Sequence, residues 1–226
     1  MAFDLDGTLY PNISFNIRLL PFILKEARHL MAFGKARSRL RSDCENAAQK
    51  TDEPACSFYR KQAVYMSGIL GTGPERLEEK NEKLIYRGWE PLFKKVRLFS
   101  HVPETLKSLR ENGVKLGLLS DFPPLKKIEN LGIGGIWDAV LCSEAVGRLK
   151  PDPLPFIKLA EALACPPEEI LYVGNSFSYD VLGAKKTGMK TAWIRSRTAC
   201  FFPDERKKHA DFVFFDYRQL CNFVLT

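Results

Sequence analysis

The sequence lacks the patterns that mark a zinc-binding, disulfide-rich or membrane-spanning protein. Its 226 residues include six cysteines and three histidines, but no Cys-x-x-Cys pair and no two histidines three to five positions apart. Zinc sites and small disulfide frameworks usually need such short spacings, so we predict neither. There is also no run of about 18 apolar residues and no signal-like N-terminus, which would be a basic segment followed by an apolar one. We therefore expect a cytoplasmic protein with no membrane partner.

The charge of the chain is positive and unevenly distributed. There are 34 Lys and Arg residues against 27 Asp and Glu, a net charge of +7 that suits anionic ligands such as phosphate esters or nucleic acid. Residues 12 to 96 hold 16 of the basic and 10 of the acidic side chains. For the basic stretch from Lys25 to Arg41, three roles stay open: a solvated helix face, attraction of phosphorylated substrates, and nucleic-acid binding. Nucleic acid is the least expected partner.

Residues 12 to 95 predict helices only. Pro21 predicts a kink or a new helix start within the first of them. Two further helices are predicted at 57–70 and 74–95, and the polar segment 41–55 is predicted to connect the first two. The first helix has a narrow apolar stripe at alternating spacings of four and three. The stripe consists of Ile13, Ile17, Leu20, Leu24, Ala27 and Met31.

From residue 96 onward, short apolar strands alternate with helices of about ten residues. This order predicts an α/β fold with a doubly wound parallel sheet. The first strand, which ends at Asp4, belongs to the same sheet, so the helices form an insertion. We predict an α/β core of residues 1–11 and 96–226 and an all-helical cap domain of residues 12–95. Only three residues precede Asp4, so we expect either an unusually short first strand or a sequence that begins late.

Polar residues follow four predicted strands at their carboxyl ends, where ligands bind in open parallel sheets. Asp4 and Asp6 are two positions apart, so a strand directs both carboxylates to one side. Two like charges held that close favour a bound cation. The residues at these ends are Asp4, Asp6 and Thr8 after the first strand, Ser120 and Asp121 after the second, Lys150 after the third, and Asn175, Ser176 and Asp180 after the fourth.

Together these residue types can carry phosphoryl transfer to a carboxylate. Asp4 is the predicted nucleophile, and Asp6 is the predicted acid and base, with a pKa raised by its neighbours. Mg²⁺ would offset the repulsion between a carboxylate and a phosphate, and no organic cofactor is needed. The predicted magnesium ligands are Asp4, Asp6, Asn175 and Asp180. The predicted phosphate-binding residues are Thr8, Ser120, Asp121 and Lys150.

The segments DLDGT, LLSD, LKPDP and VGNSFSYDVLGA, in this order, resemble the four motifs of the haloacid dehalogenase-like (HAD) superfamily. The resemblance is to the phosphatase branch in which a helical cap follows the first motif. It covers residues 2–11 and about 96–196. The roles that it implies are a nucleophile at Asp4, an acid and base at Asp6, phosphate binding at Ser120 and Lys150, and metal-loop residues at 175 and 180. These roles agree with those argued from the residue types.

The fourth motif departs from the family pattern at one position. The family has Gly-Asp followed by a second Asp five positions on, whereas this chain has Gly174-Asn175 and then Asp180. The Asn175 amide can offer an oxygen to Mg²⁺ but carries no charge. We therefore expect weaker metal binding than in the family pattern.

The leading hypothesis is a Mg²⁺-dependent phosphatase that hydrolyses a small phosphorylated metabolite through an aspartyl-phosphate. A phosphomutase on the same core is an alternative, as is a catalytically weakened HAD-like binding protein whose basic cap engages a nucleic acid or a protein. A haloacid dehalogenase is disfavoured, because that chemistry has no leaving alkoxide for Asp6 to protonate. The substrate, the cap residues that select it and the oligomeric state stay open.

Overall fold

A six-stranded, all-parallel β-sheet forms the centre of the protein in the computed structural model, which describes residues 1–46, 57–196 and 204–226. The order of the strands across the sheet is β3-β2-β1-β4-β5-β6. This arrangement confirms the predicted α/β fold with a parallel sheet. The strands are β1 (Ala2–Phe3), β2 (Gly117–Ser120), β3 (Ala139–Cys142), β4 (Leu171–Gly174), β5 (Lys190–Ile194) and β6 (Phe212–Phe214).

The first strand has only two residues and lies in the middle of the sheet. Ala2 pairs with Gly117 of β2 on one side and with Tyr172 of β4 on the other. The strand order reverses between β1 and β4, and such a reversal opens a crevice at the carboxyl ends of the strands. Both residues of β1 are fully buried, so packing fixes its register.

Helices cover both faces of the sheet, and successive strand residues alternate between the two faces. Phe3 packs in one apolar cluster with Leu106 and Leu220, whereas Ala2 packs in another cluster with Phe156 and Leu159. Strands buried on both faces need apolar residues at consecutive positions, which explains their short apolar runs. Helices α1 to α3 belong to the insertion and are described below. The helices that follow the insertion are α4 (Val102–Glu111), α5 (Leu125–Asn130), α6 (Ser143–Val146), α7 (Pro153–Leu163), α8 (Leu182–Lys185) and α9 (Tyr217–Leu225).

Between residues 12 and 95, the described part of the segment that joins β1 to β2 consists of helices connected by short turns and contains no strand. Phe15, Leu19 and Phe93 of this segment belong to the apolar cluster that contains Phe3, so the segment shares the core on one face of the sheet. The division into a core and a cap at residues 12 and 95 stays a prediction. The elements are α1 (Asn12–Asn46), α2 (Phe58–Leu70), α3 (Pro74–Asn81), a π-helical turn (Glu82–Tyr86) and a 3₁₀ helix (Glu90–Lys95).

Helix α1 differs from its prediction in two ways. The expected break at Pro21 is wrong: Pro21 lies inside the helix, and the non-helical backbone is at Glu26 (φ −123°, ψ 26°). The predicted apolar stripe faces solvent, with Ile17 65% and Leu24 77% exposed, because a different face of the helix packs against the protein. The helix also continues into the predicted connection 41–55, of which residues 47–55 lie outside the described residues.

Helix α9 after β6 and the short helix α6 are absent from the sequence prediction. Asp216 begins α9 with a capping box, in which its side chain accepts a backbone hydrogen bond while Gln219 bonds back to the Asp216 backbone. Within the described ranges, no helix has the length and apolar content needed to cross a bilayer.

Candidate active site

Seven of the residues predicted from the sequence meet at the carboxyl ends of β1, β2 and β4, where the strand order reverses. Hydrogen bonds link five of them into one network, and a further bond joins Ser120 to Asp6. The structure brings together Asp4, Asp6, Thr8, Ser120, Lys150, Asn175 and Asp180. The site therefore lies where the fold places ligand-binding crevices.

Asp4 follows β1 and is held between a hydroxyl and an ammonium group. Thr8 Oγ1 donates to Asp4 Oδ2 at 2.6 Å, and Lys150 Nζ donates to Asp4 Oδ1 at 2.7 Å. The residue is only 5% exposed. Burial raises the pKa of Asp4 to about 7, although the Lys150 charge opposes this rise. A buried carboxylate with both oxygens engaged has a fixed orientation, as a nucleophile requires.

Lys150 joins the loop after β3 to two carboxylates. Its Nζ lies 2.7 Å from both Asp4 Oδ1 and Asp180 Oδ1, and 3.3 Å from the Tyr172 hydroxyl. Burial alone would lower the pKa of Lys150, but the charges of Asp180 and Asp4 raise it well above its usual value. Lys150 is therefore a buried, permanent positive charge beside Asp4.

The loop after β4 requires a glycine to bring Asp180 this close. A Cβ atom at Gly174 would lie 2.3 Å from the Asp180 Cβ, so any side chain there would displace the carboxylate. Ser176 contributes its backbone N–H, which donates to Asp180 Oδ2 at 2.9 Å. Asp180 is thus positioned by the loop backbone on one oxygen and by Lys150 on the other.

Asp6 lies one strand period beyond Asp4 and is 28% exposed at its side chain. Lys127 Nζ contacts both carboxylate oxygens at 2.8 Å, Ser120 Oγ donates to Oδ2 at 3.1 Å, and the Tyr10 hydroxyl donates to Oδ1. Burial opposes ionisation, but Lys127 and the two hydroxyl groups hold the pKa of Asp6 below its usual value. The predicted upward shift of the Asp6 pKa is therefore wrong, because the sequence did not reveal Lys127.

Lys127 is the site residue that sequence reasoning missed. It lies on α5, directly after β2, and is 9% exposed. Its ammonium lies 5.1 Å from the Phe93 ring centroid and 5.0 Å from that of Phe122. The sequence contains the pair Lys126-Lys127 in the helix predicted at 124–131, but it does not indicate which of the two faces the sheet.

Asp121 lies beside these residues but has different partners. Its Oδ1 accepts from the Lys150 backbone N–H at 3.1 Å, and its Oδ2 accepts from Arg41 Nη2 of α1 at 2.8 Å. Burial would raise the pKa of Asp121, but Lys150, Arg37 and Arg41 lower it. The carboxylate fixes the loop that carries Lys150; its predicted contact with phosphate stays a prediction.

Asn175 and Gly7 form the side of the site next to Asp4. Asn175 Oδ1 lies 3.2 Å from Thr8 Oγ1. Gly7 has φ +87°, and a Cβ there would lie 2.4 Å from the Asn175 amide nitrogen, so conformation and space both require glycine.

The donor set of the site fits Mg²⁺, although one member is neutral. The Asp4 and Asp180 carboxylates both lie 2.7 Å from the Lys150 ammonium. Asn175 has its amide oxygen at the same site, in contact with the Thr8 hydroxyl. These are hard oxygen donors of the kind that Mg²⁺ prefers. In the described part of the chain, no three His, Cys, Asp or Glu side chains are grouped so as to hold a metal. A metal at this site would thus depend on the Asn175 amide.

Two arginines of α1 reach from the helical segment to the loops around the site. Arg37 pairs with the buried Glu144 of α6, and its guanidinium lies 4.0 Å from the Phe122 ring centroid. Arg41, one turn later, pairs with Asp121. Part of the basic stretch predicted between Lys25 and Arg41 therefore contacts the core rather than solvent.

Comparisons with known proteins agree with this geometry. A family model described as haloacid dehalogenase-like hydrolase matches residues 1–188. The chain is 30% identical to glyceraldehyde 3-phosphate phosphatase of Methanopyrus kandleri over 203 residues, 86% of this chain and 83% of that protein. A HAD phosphatase structure from Thermococcus onnurineus is 25% identical with a TM-score of 0.63, covering 99% of this chain and 96% of the other. The structure of an L-2-haloacid dehalogenase, 22% identical with a TM-score of 0.67 and coverage of 100% and 97%, shares the fold.

Proposed function

Because the chain belongs to the haloacid dehalogenase-like hydrolases, we propose that it is a Mg²⁺-dependent phosphatase of a small phosphorylated metabolite. The observation that carries this proposal is the buried Asp4 carboxylate, held between Thr8 and Lys150, with the Asp6 charge close enough to raise the pKa of Asp4. The relative from Methanopyrus kandleri is named for a phosphorylated three-carbon sugar, which supports a small substrate.

In the first step, an Asp4 oxygen attacks phosphorus, and the bond from phosphorus to the leaving oxygen breaks. Thr8, Ser120 and the Lys150 ammonium stabilise the negative charge of the transferring group. The leaving alkoxide needs a proton, which Asp6 supplies. We infer that the arriving phosphoryl group takes over the Lys127 contact, which frees Asp6 to carry that proton.

In the second step, water attacks the aspartyl-phosphate and releases inorganic phosphate. Asp6, now ionised, takes a proton from that water, and Asp4 leaves as a carboxylate. Lys127 stabilises the ionised form of Asp6, so the ion pair between them suits this second step.

Mg²⁺ would be held by oxygens of Asp4, Asp6, Asn175 and Asp180. When bound, it supplies positive charge that lets an anionic carboxylate approach an anionic phosphate. Lys150 adds a further positive charge beside the proposed metal ligands, through its contacts with Asp4 and Asp180.

The experiment is phosphate release from a panel of sugar phosphates, short-chain acid phosphates, nucleotides and an aryl phosphate, with and without Mg²⁺. We expect wild-type turnover that requires Mg²⁺, and a loss of at least about a thousandfold in Asp4→Asn, which removes the nucleophile. With the aryl phosphate, whose leaving group needs no proton, Asp6→Asn should accumulate a phosphorylated enzyme, seen by mass spectrometry as one phosphoryl group on the peptide that contains Asp4.

The matched control is Glu111→Gln, an acid-to-amide change at an exposed ion pair on α4. It should retain wild-type turnover. Turnover that survives in folded Asp4→Asn, or a phosphoryl group on another residue, would refute the mechanism. A folded wild type that releases no phosphate from any compound of the panel would favour the binding-protein alternative. Transfer of the phosphoryl group to a second hydroxyl of the substrate would favour the phosphomutase.

A further inference from the structure

A separate pocket of about 410 Å³ lies between α1 and α3, and its lining is strongly basic. The volume is in the range of small-ligand pockets. Glu26 is the one carboxylate among the described residues that line it. The lining residues are Lys25, Glu26, Arg28, His29, Leu70, Thr72, Arg76, Leu77 and Lys80.

The positive charges of this pocket exceed what its carboxylate can neutralise. Glu26 Oε2 pairs with Lys80 Nζ at 2.7 Å, which accounts for one lysine. In the described ranges of the chain, Lys25, Arg28 and Arg76 have no carboxylate within ion-pair distance. Three cations around one concave space repel one another, and a bound anion would relieve that repulsion.

The cations are arranged on two facing helices. Arg76 and Lys80 are four residues apart on α3 and lie on one helical face, whereas Lys25 and Arg28 flank the break in α1 and both line the pocket. The non-helical backbone at Glu26 lies between the two α1 residues. An anion in the pocket would contact both helices at once.

The wall of the pocket includes a buried and oriented histidine. His29 is 5% exposed, and its Nε2 lies 2.8 Å from Asn81 Oδ1 of α3. Because that oxygen can only accept, Nε2 carries the hydrogen. The bond ties α1 to α3 directly beneath the basic side chains, so the two sides of the pocket are held at a fixed separation.

The pocket is distinct from the candidate active site. Arg41, the α1 residue that contacts Asp121, lies 12 residues beyond His29, which is about 18 Å along a helix at about 1.5 Å per residue. The two sites have no lining residue in common.

We propose that this pocket binds a small polyphosphate anion, either inorganic or the phosphate chain of a nucleotide. Three unpaired cations on opposite walls match several adjacent phosphate charges better than one phosphate monoester. An extended nucleic acid would instead need cations along an open surface, whereas these converge on one concavity.

The test is calorimetric titration of the full-length protein with inorganic triphosphate in EDTA, which removes metal from the candidate active site. We compare wild type with Arg28→Gln/Arg76→Gln and, independently, with Lys25→Gln/Arg76→Gln. The control is Lys94→Gln/Lys95→Gln, which removes the same charge from exposed positions of the 3₁₀ helix in the same segment. The substituted side chains, Lys25, Arg28 and Arg76, are exposed, so these variants should fold, which circular dichroism verifies.

We expect each pocket variant to bind triphosphate at least tenfold more weakly than the wild type and the control. Equal affinity in all variants, or no binding to the wild type, would overturn the proposal. An oligonucleotide that binds through these residues when triphosphate does not would also overturn it. Tighter binding of a nucleoside triphosphate than of inorganic triphosphate would support the proposal and identify the nucleotide form. Binding is independent of phosphatase turnover, so the two proposals can fail separately.

Discussion

Lys127 and Lys150 hold the carboxylates of the candidate site from two different elements. Lys150 contacts Asp4 and Asp180, whereas Lys127 contacts Asp6. The pKa of Asp4 is raised to about 7 by burial, and that of Asp6 is lowered chiefly by Lys127 against the effect of burial. Two carboxylates two positions apart therefore differ in proton affinity because of their surroundings.

Replacing Lys127 with methionine should shift the pH profile of turnover. The substitution removes the charge that stabilises ionised Asp6, so the pKa of Asp6 rises, and the limb of kcat/KM that reports it moves to higher pH. The size should be about one pH unit or more, equivalent to about 1.4 kcal/mol. The measurement is kcat/KM against pH for Lys127→Met beside Lys126→Met, an exposed neighbour paired with Glu129. Superimposable profiles for the two variants would contradict the role of Lys127.

Asn175→Asp should strengthen the response to Mg²⁺. The change adds a negative charge at the amide oxygen position without changing the size of the side chain. We expect half-maximal activation at about tenfold lower Mg²⁺, which corresponds to about 1.4 kcal/mol. Mg²⁺ titration of phosphate release checks this, with Asn222→Asp on the exposed side of α9 as the control. An unchanged midpoint in Asn175→Asp would place the metal elsewhere.

At the scale of elements, α1 has two apolar faces of which only one is packed. Phe33 is 4% exposed and belongs to a cluster with Ala63 and Met66 of α2, whereas Ile17 is 65% exposed. Helical periodicity reveals an apolar stripe, but it does not show which neighbours cover it.

The two faces of α1 should respond differently to truncation. Phe33→Ala leaves a cavity in the helical segment, so we expect a loss of about 3–5 kcal/mol in the free energy of unfolding. Ile17→Ala removes a side chain that is mostly in water, and we expect a change within about 0.5 kcal/mol. Urea unfolding of both variants gives the comparison. A large loss for Ile17→Ala would mean that its face is covered in solution.

At the scale of the whole molecule, the buried Arg37–Glu144 ion pair connects α1 of the helical segment to α6 of the core. Both side chains are almost fully buried. One nitrogen of Arg37 and one oxygen of Glu144 have no hydrogen-bond partner among the described residues. A buried pair with unsatisfied atoms has little net stabilising effect, although removing one member leaves the other charge alone.

The losses of unfolding free energy caused by substituting each member of this pair should therefore not be additive. Glu144→Gln leaves the buried guanidinium without its charge partner, and we expect a loss of about 3–5 kcal/mol in unfolding free energy. Arg37→Met/Glu144→Gln should lose less than the sum of the two single changes. Glu161→Gln, at the exposed Lys158 pair, is the control and should change stability by less than about 0.5 kcal/mol. Additive losses measured by urea unfolding would show that the pair does not interact.

The parts that were predictable from sequence are those determined by local pattern. Alternating strands and helices predict the parallel sheet, and the rule that ligands bind at the carboxyl ends of parallel strands predicts that Asp4, Lys150 and Asp180 lie together. Lys127 was missed because its role depends on which of two adjacent lysines faces the sheet. The downward pKa shift of Asp6 was missed for the same reason, since it follows from that tertiary contact.

The pairing of β1 has a consequence for the order of folding. Ala2 is joined to Gly117 and Tyr172, so the strand that carries Asp4 cannot take its place until two distant parts of the chain have been synthesised. Such non-local pairing slows folding, because a long loop must close before the contacts form. During translation, β1 leaves the ribosome before β2 and β4, so its apolar residues stay unpaired until both strands have been synthesised. The candidate site is therefore assembled late, and a partly synthesised chain holds Asp4 without the charges that orient it.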